Sequence, residues 1–483
     1  YTTQQAGTQA ADALRTHTTY GAIGSGVVVT EISQIRDSYY DVKYRNNMAN
    51  YGQYSVKESY MGQIEDYLDE FTLNGYSQEY KNFFSAVNQL TITPGDTSAK
   101  NQLINNAKSL ADYFNTLTTN LRNVQADANN EIKDAVQQIN SYAKNIAALN
   151  RQINQIEANY GNANDLRDKR NAMIDELSEI VNLETSEEDM GNNVSNFSVR
   201  INGQTLVSSY SYNTLETVAR TDKKNYSDAE GLYDVQWNSG QKFDMYSTSL
   251  SGHLKGLIDI RDGNNGEHEN IETDDDGNNV TDSDGNLVLT TAPAADKTVS
   301  YKGVPYYQAQ LNEFAKIFSD AVNKIMKSGY TSDGSSKGIS LFVTQQNTTV
   351  MSAGNITVNP ELLKNADLLA IKKEQNDGES DAKIMEELNK LQSEKIFAGG
   401  TGSYFLESIV SDMSIDSQKA VNLYKNYTDL KTSIHNQRLS IMGVDTDEEA
   451  MDMIKYQQAY NLNSKMMSVM NQIYDKLINQ TGI

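Results

Sequence analysis

The sequence predicts a mainly α-helical protein with a β insertion: a long antiparallel helical bundle or coiled-coil domain, a smaller β domain and a C-terminal axial helix. Three observations predict it. Ile132, Ile139, Ile146 and Ile153 fall seven apart, and Ala135, Tyr142, Leu149 and Ile156 repeat the interval three residues on, which is a heptad seam. Between about 187 and 250 the apolar period drops to two, the period of a half-buried strand. From Gly443 to Gly482 neither Gly nor Pro interrupts the chain, and Met and Tyr again recur every seven residues.

Taken in order, residues 1–30 carry scattered glycines among Thr, Gln and Ala and read as an extended connector ending in a strand from Val27 to Ile32. A helical bundle occupies 31–186. Its first helix places Ile32, Ile35, Tyr39, Val42, Ala49, Val56, Tyr60 and Ile64 on one face. A second helix covers 77–90 and stops at Pro94-Gly95, a third begins near Thr97, and a fourth covers 166–181. Residues 187–250 form the β-rich outer domain: Phe197, Val199 and Ile201 alternate with polar residues before an Asn202-Gly203 turn, and Tyr233, Val235 and Trp237 alternate later.

Residues 251–438 return to the helical domain. They include an acidic loop at 263–300, a helix from Tyr306 to Lys327, a short β segment at 339–358 and an acidic helix near 380–393. Leu406, Met413, Ala420, Tyr427, Ile434 and Ile441 then keep a seven-residue interval, with Ile409, Leu423 and Leu430 beside them.

Residues 439–483 are the C-terminal axial coiled-coil helix. Thr446 followed by Glu449 has the spacing of a capping box, and Asp447, Glu448 and Glu449 sit where the helix dipole favours carboxylates. Met453, Tyr460, Met467 and Tyr474 form one row, and Tyr456, Asn463, Met470 and Leu477 the second. Such a stripe is either a core face of the same body or a docking face for a partner helix. At about 35 residues the helix spans roughly 50 Å, and its length and terminal position favour the partner. These eight residues are the candidate interface, with Thr446 and Glu449 as its cap.

Composition limits the rest. A net charge of −23 opposes nucleic-acid binding, which needs a basic footprint, and opposes adhesion to anionic membranes. No run approaches eighteen apolar residues, so no membrane insertion is expected. The chain has no Cys and only four His, at 17, 253, 268 and 435, so neither a thiolate metal site nor a cofactor is expected. In the acidic loop Glu272, Asp274, Asp276 and Gly277 copy the start of a calcium loop, but Ser283 stands where a bidentate Glu is required. Asp282, Asp284 and Gly285 are too short a run to form one. The stretch from Gly329 has Ser335 where a phosphate loop needs Lys. No G-x-S-x-G or HExxH occurs, and His268-Glu269 lacks a second His. A secreted hydrolase using paired carboxylates is the remote alternative; no catalysis is expected.

Four stretches carry a resemblance. GVDTDEEAMDMIKYQQAYNLNSKMMSVMNQIYDKL resembles the C-terminal signature of flagellar axial proteins of rod, hook and filament, the hook-associated junction subunits in particular. GSGVVVTEISQIRDSYYDVKYR, SGHLKGLIDIRD and GVPYYQAQLNEFAKIFSDAVNKIMKSGY are similar to the same family's segments, in the family's order. The front departs from it: Tyr1-Thr2-Thr3-Gln4 looks like the end of a Gly-Tyr-Ser-Arg-Gln-like run with Thr3 in place of Arg, and the family's N-terminal helix is expected upstream of Tyr1.

The resemblance implies an extracellular structural subunit, exported through the flagellar type III apparatus without a cleaved signal. It implies a homo-oligomeric ring between hook protein and the second junction protein, with terminal helices forming an inner tube. It also implies a cytoplasmic export chaperone on the C-terminal helix. Flagellin and hook-type subunits remain the near alternatives.

Overall fold

The computed structural model describes residues 2–12, 14–15, 22–23, 25–73, 76–264, 270–271, 280, 289–290, 301–345, 348, 350–378, 380–397 and 400–480. The chain opens with β1 (Gln4–Ala10), β2 (Leu14–Arg15), β3 (Ala22–Ile23) and β4 (Val27–Gln34), followed by α1 (Ser38–Leu73), α2 (Tyr76–Ile92), α3 (Thr97–Glu157) and α4 (Asn164–Ile180). Strands β5 (Glu184–Asp189), β6 (Ser195–Ile201), β7 (Gln204–Ser208), β8 (Ser211–Tyr212), β9 (Leu215–Ala219) and β10 (Tyr233–Trp237) precede α5 (His253–Arg261). Beyond β11 (Asn270–Ile271) and β12 (Leu289–Thr290) lie α6 (Val304–Ser328), β13 (Tyr330–Thr331), β14 (Phe342–Thr344), β15 (Ile356–Val358) and α7 (Pro360–Lys364). The chain continues through β16 (Ala370–Lys372), α8 (Lys383–Leu391) and α9 (Gly402–Met442) to α10 (Thr446–Asn479).

The 61-residue α3 is the central strut. Asp96 caps it, its carboxylate accepting from the Ser98 amide at 2.8 Å directly after the Pro94-Gly95 break. Ile132, Ile139, Ile146 and Ile153 are all fully buried, as the heptad requires, whereas Ile156 in the last turn is exposed. Side-chain amides on α3 do a different job. Asn140 donates to the Leu215 carbonyl, Asn150 to Ser209 and Asn154 to Ser195, satisfying strand ends that a purely apolar helix would leave unpaired.

Helices α1 and α9 run antiparallel. Arg438 meets Asp41 near one end, and Ser417 donates to Glu65 near the other. Between these points the seam is built from tyrosines: Tyr54 stacks on Tyr427 at 5.3 Å, Tyr51 tilts against Tyr424 at 5.5 Å, and the Lys431 ammonium lies 3.9 Å from the Tyr51 ring. Gly52 is where α1 meets α4; a Cβ there would overlap the Glu179 carbonyl oxygen.

The expected stripe on α1 is only half correct. Ala49, Val56, Tyr60 and Ile64 are buried, but Ile35, Tyr39 and Val42 are exposed, and Ile32 lies in β4. The chain changes from strand to helix at 35–38, so one helical period cannot run through both. Residues 1–30, expected as an extended connector ending in a strand, also contain β1, which pairs antiparallel with β4. The expected short β segment starts at Phe342 and not at Ile339.

Strands β5, β6, β7 and β8 form a sheet in that order. Asn202 and Gly203 both take positive φ between β6 and β7, as a two-residue hairpin of this type requires. Strand β5 forms one edge and exposes Glu184, Glu187, Glu188 and Asp189 along it.

The β9–β10 pair is tied to the helices through buried charge. Arg220, just past β9, and Arg261, at the end of α5, both hold the Asp262 carboxylate, with Arg220 Nη2 at 2.7 Å. Arg261 has no exposed surface; it also donates to Asn129 Oδ1 at 2.9 Å and to the Tyr233 carbonyl at 2.6 Å.

One part of the core gathers rings from several elements. Phe314 of α6 stacks on Phe397 at 4.9 Å and on Phe114 at 5.3 Å, and Phe318 meets Phe83 edge-on at 5.6 Å. Phe314 is fully enclosed. Phe314→Ala is expected to lower the unfolding free energy by about 3–5 kcal/mol, read as a reduced urea midpoint at unchanged slope.

Candidate assembly interface

Helix α10 starts at Thr446, as the sequence indicates, but its cap lies one residue earlier. The Asp445 carboxylate accepts from the Asp447 amide at 2.9 Å and from the Glu448 amide at 3.4 Å. Thr446 is therefore the first helical residue, and the Thr446–Glu449 box is not the cap. Aspartate at this position both fills the orphan amides and meets the positive end of the dipole.

None of α10's residues is buried. All eight candidate interface residues lie on this helix and face solvent: Met453, Tyr456, Tyr460, Asn463, Met467, Met470, Tyr474 and Leu477. Tyr456 is 74% exposed and Met467 71%. The apolar surface is wider than the two heptad rows. Met466 and Ile473 extend it on one side, and Leu462 and Val469 place apolar groups on another side of the helix; all four are exposed. A helix that is apolar around much of its circumference belongs among several neighbours, not against a single one.

The base of this rod is fixed to the body by hydrogen bonds and ion pairs. The Thr3 amide donates to the Met442 carbonyl at 2.9 Å, and Thr3 Oγ1 donates to the Gly443 carbonyl at 2.8 Å. The Thr2 amide and Gln34 Nε2 both donate to the Asp168 carboxylate. Around them three arginines and three aspartates interlock: Arg36 with Asp41 and Asp168, Arg45 with Asp175, and Arg438 with both Asp41 and Asp175. Burial works against the Arg438 charge, but Asp175 and Asp41 outweigh it and hold its pKa above the ordinary value. No spacing in the sequence signals this cluster, because its members come from α1, α4, α9 and the link between β4 and α1.

A groove of about 460 Å3 runs past Glu131, Asp134, Glu176, Glu179 and His253. The Tyr60 hydroxyl donates to Glu131 at 2.9 Å, and His253, its Nε2 3.6 Å away, together with Tyr60 holds the Glu131 carboxyl below its usual range. Among the described residues no group of three or more His, Asp or Glu is placed to hold a metal ion. The calcium-like residues Glu272 to Gly277 and Asp282 to Gly285, and His268-Glu269, lie outside the described residues. Among the described residues no helix is long and apolar enough to cross a membrane.

A helical body with a small β portion and a terminal apolar rod that it leaves uncovered has the build of a structural subunit that packs against other chains. The description "Flagellar hook-associated protein FlgK helical domain" matches residues 61–342, more than half of the chain. The chain belongs to the flagellar hook-associated protein FlgK family.

The description "Flagellar basal body rod FlgEFG protein C-terminal" also matches, over residues 435–480, which include all of α10. Flagellar hook-associated protein 1 of Bacillus subtilis is 25% identical over 96% of this chain and 88% of its own length. The proteins of the same name from Salmonella typhimurium and Escherichia coli are 27% and 26% identical, each over 95% of this chain and 90% of theirs. The solved flagellar hook junction protein FlgK of Burkholderia pseudomallei shares the fold, with a TM-score of 0.62 at 15% identity. That match covers 83% of this chain and all of that one. Membership makes the chain an exported, extracellular component of the flagellum that assembles with other axial subunits.

Proposed function

We propose that the chain works without catalysis, as a ring-forming subunit whose α10 packs among neighbouring axial helices between hook protein and the second junction protein. The observation that carries this is a 34-residue helix studded with Met, Tyr, Leu, Ile and Val in which no residue is buried. In a tube of helices that surface is covered on several sides. The same helix is the docking segment for a cytoplasmic export chaperone, which shields it before passage through the type III apparatus without a cleaved signal. The helical domain (31–186 and 251–438) forms the next shell, the β-rich outer domain (187–250) faces outward, and 439–483 lies at the axis.

The test is complementation of a strain that lacks its own gene. The full chain is expected to restore filaments; a chain ending at Gly443 is expected to leave hooks without filaments, with filament protein shed into the medium. Filaments of ordinary number on the truncated chain would overturn the proposal.

A further inference from the structure

The β1–β4 ribbon has two faces of different chemistry. Its register runs from Gln4 opposite Gln34 to Ala10 opposite Val27, with a shift between Gly7 and Thr8 that leaves Thr30 without a partner residue. Side chains alternate along a strand, so Val27 and Val29 share a face with Ala10 and Thr8. The extra residue re-phases β4, and Ile32, not Glu31, joins that face beside Ala6. The opposite face receives Gln5, Gln9, Val28, Glu31 and Ser33. One face is thus uncharged and carries three β-branched hydrophobics, with Val27 69% and Val29 60% exposed. A two-stranded ribbon is marginally stable in water by itself, so covering this face stabilises it.

We infer that this face is a contact between subunits, covered in the assembled ring by a second copy of this chain; the inference rests on the assembly reading above. Two observations select a second copy. Ribbon and rod leave the body at one point, where Thr2 bridges Gly443 and Thr3 holds Met442, so packing that sets α10 against a neighbouring α10 brings the ribbon against the next copy. A chain of net charge −23 also repels its own copies across acidic surface, and this face carries no charge. Six small side chains fall short of the roughly 800 Å2 per partner that a stable pair buries, so the contact works together with α10 and does not pair isolated copies.

The chain has no Cys, so one introduced thiol reports cleanly. Full-length Val29→Cys and Thr8→Cys probe the apolar face and Val28→Cys the other, each expressed in a strain lacking its own copy. Maleimide labelling is compared between secreted monomer and assembled flagella. Assembly is expected to slow labelling at 29 and 8 at least about tenfold and at 28 by less than about threefold. A bismaleimide is expected to join Val29→Cys chains to one another. Assembled Val29→Cys and Thr8→Cys chains that label at the monomer rate overturn the contact and leave the assembly reading intact. Cross-links to a different flagellar protein overturn the second copy as occupant. Incorporation of Val28→Cys alone, with the other two secreted but excluded, supports the contact, because that face is then required. Failure of all three to incorporate strikes the assembly reading and the inference with it.

Discussion

Met467→Asp and Tyr460→Asp are each expected to abolish incorporation into the flagellum, with complete loss of motility, while leaving the folded body unchanged. Both side chains stand on α10, where no residue is buried, so neither substitution removes a contact that holds the monomer together. In a packed tube the position matters greatly. Eight seam side chains burying about 100 Å2 each contribute roughly 20 kcal/mol before ordering entropy is subtracted. A carboxylate in that seam loses its share and adds a desolvation cost of several kcal/mol, repeated at every copy around the ring. Electron microscopy and motility assays read the loss, and thermal unfolding of the purified monomer reads the unchanged body. Retained motility together with unchanged affinity for the export chaperone in both variants would refute the assignment of this seam.

The second large effect is expected at Asp262. Replacing it with Asn leaves Arg261 enclosed without its counter-ion and Arg220 with Asp234 alone, and breaking a buried pair in this way costs about 3–5 kcal/mol. Burial alone would raise the Asp262 carboxyl, but Arg261 and Arg220 overcome it and hold the pKa well below the usual carboxylate range. A folded-state pKa depressed in this way contributes stability that is fully present above the unfolded value of about 3.9 and is lost as pH falls toward the folded value. The stability gap between wild type and Asp262→Asn is therefore expected to be flat from pH 7 to about 5 and to narrow below about pH 4. Asp228, pushed up by burial and by the Asp262 charge, has the opposite sign, and only the part due to burial cancels in the difference. Urea unfolding of both chains across this range is the check; a gap that stays constant to pH 3 would exclude Asp262 as the linked group.

Local periodicity carried the reading as far as it went. The isoleucine heptad of α3 and the Met and Tyr rows of α10 could be read because each sits on one uninterrupted helix with a single period. The ribbon could not. Its strands are rich in Thr, Gln, Ala and Gly, they pair across some twenty intervening residues, and its bulge shifts the alternation that would identify a face. The exposed start of α1 departs from the helical stripe for a related reason, since Ile32 to Val42 spans a change from strand to helix. The interlocked Arg36, Arg45 and Arg438 with Asp41, Asp168 and Asp175 join positions up to about four hundred residues apart, a convergence that only the fold creates. Tyr427 kept its heptad place in α9, yet nothing in the spacing announced that its partner would be another tyrosine ring.

The unbroken run of α3 has a mechanical meaning. At 1.5 Å per residue its 61 residues make a beam about 90 Å long, with no hinge along its length and with helices and strands bracing it from several sides. Residues 443–445, by contrast, are the three-residue gap between α9 and α10, where the Thr3 hydroxyl donates to the Gly443 carbonyl. A load on such a beam passes from end to end without a bend, and it meets α10 through a link of three residues that the start of the chain ties down.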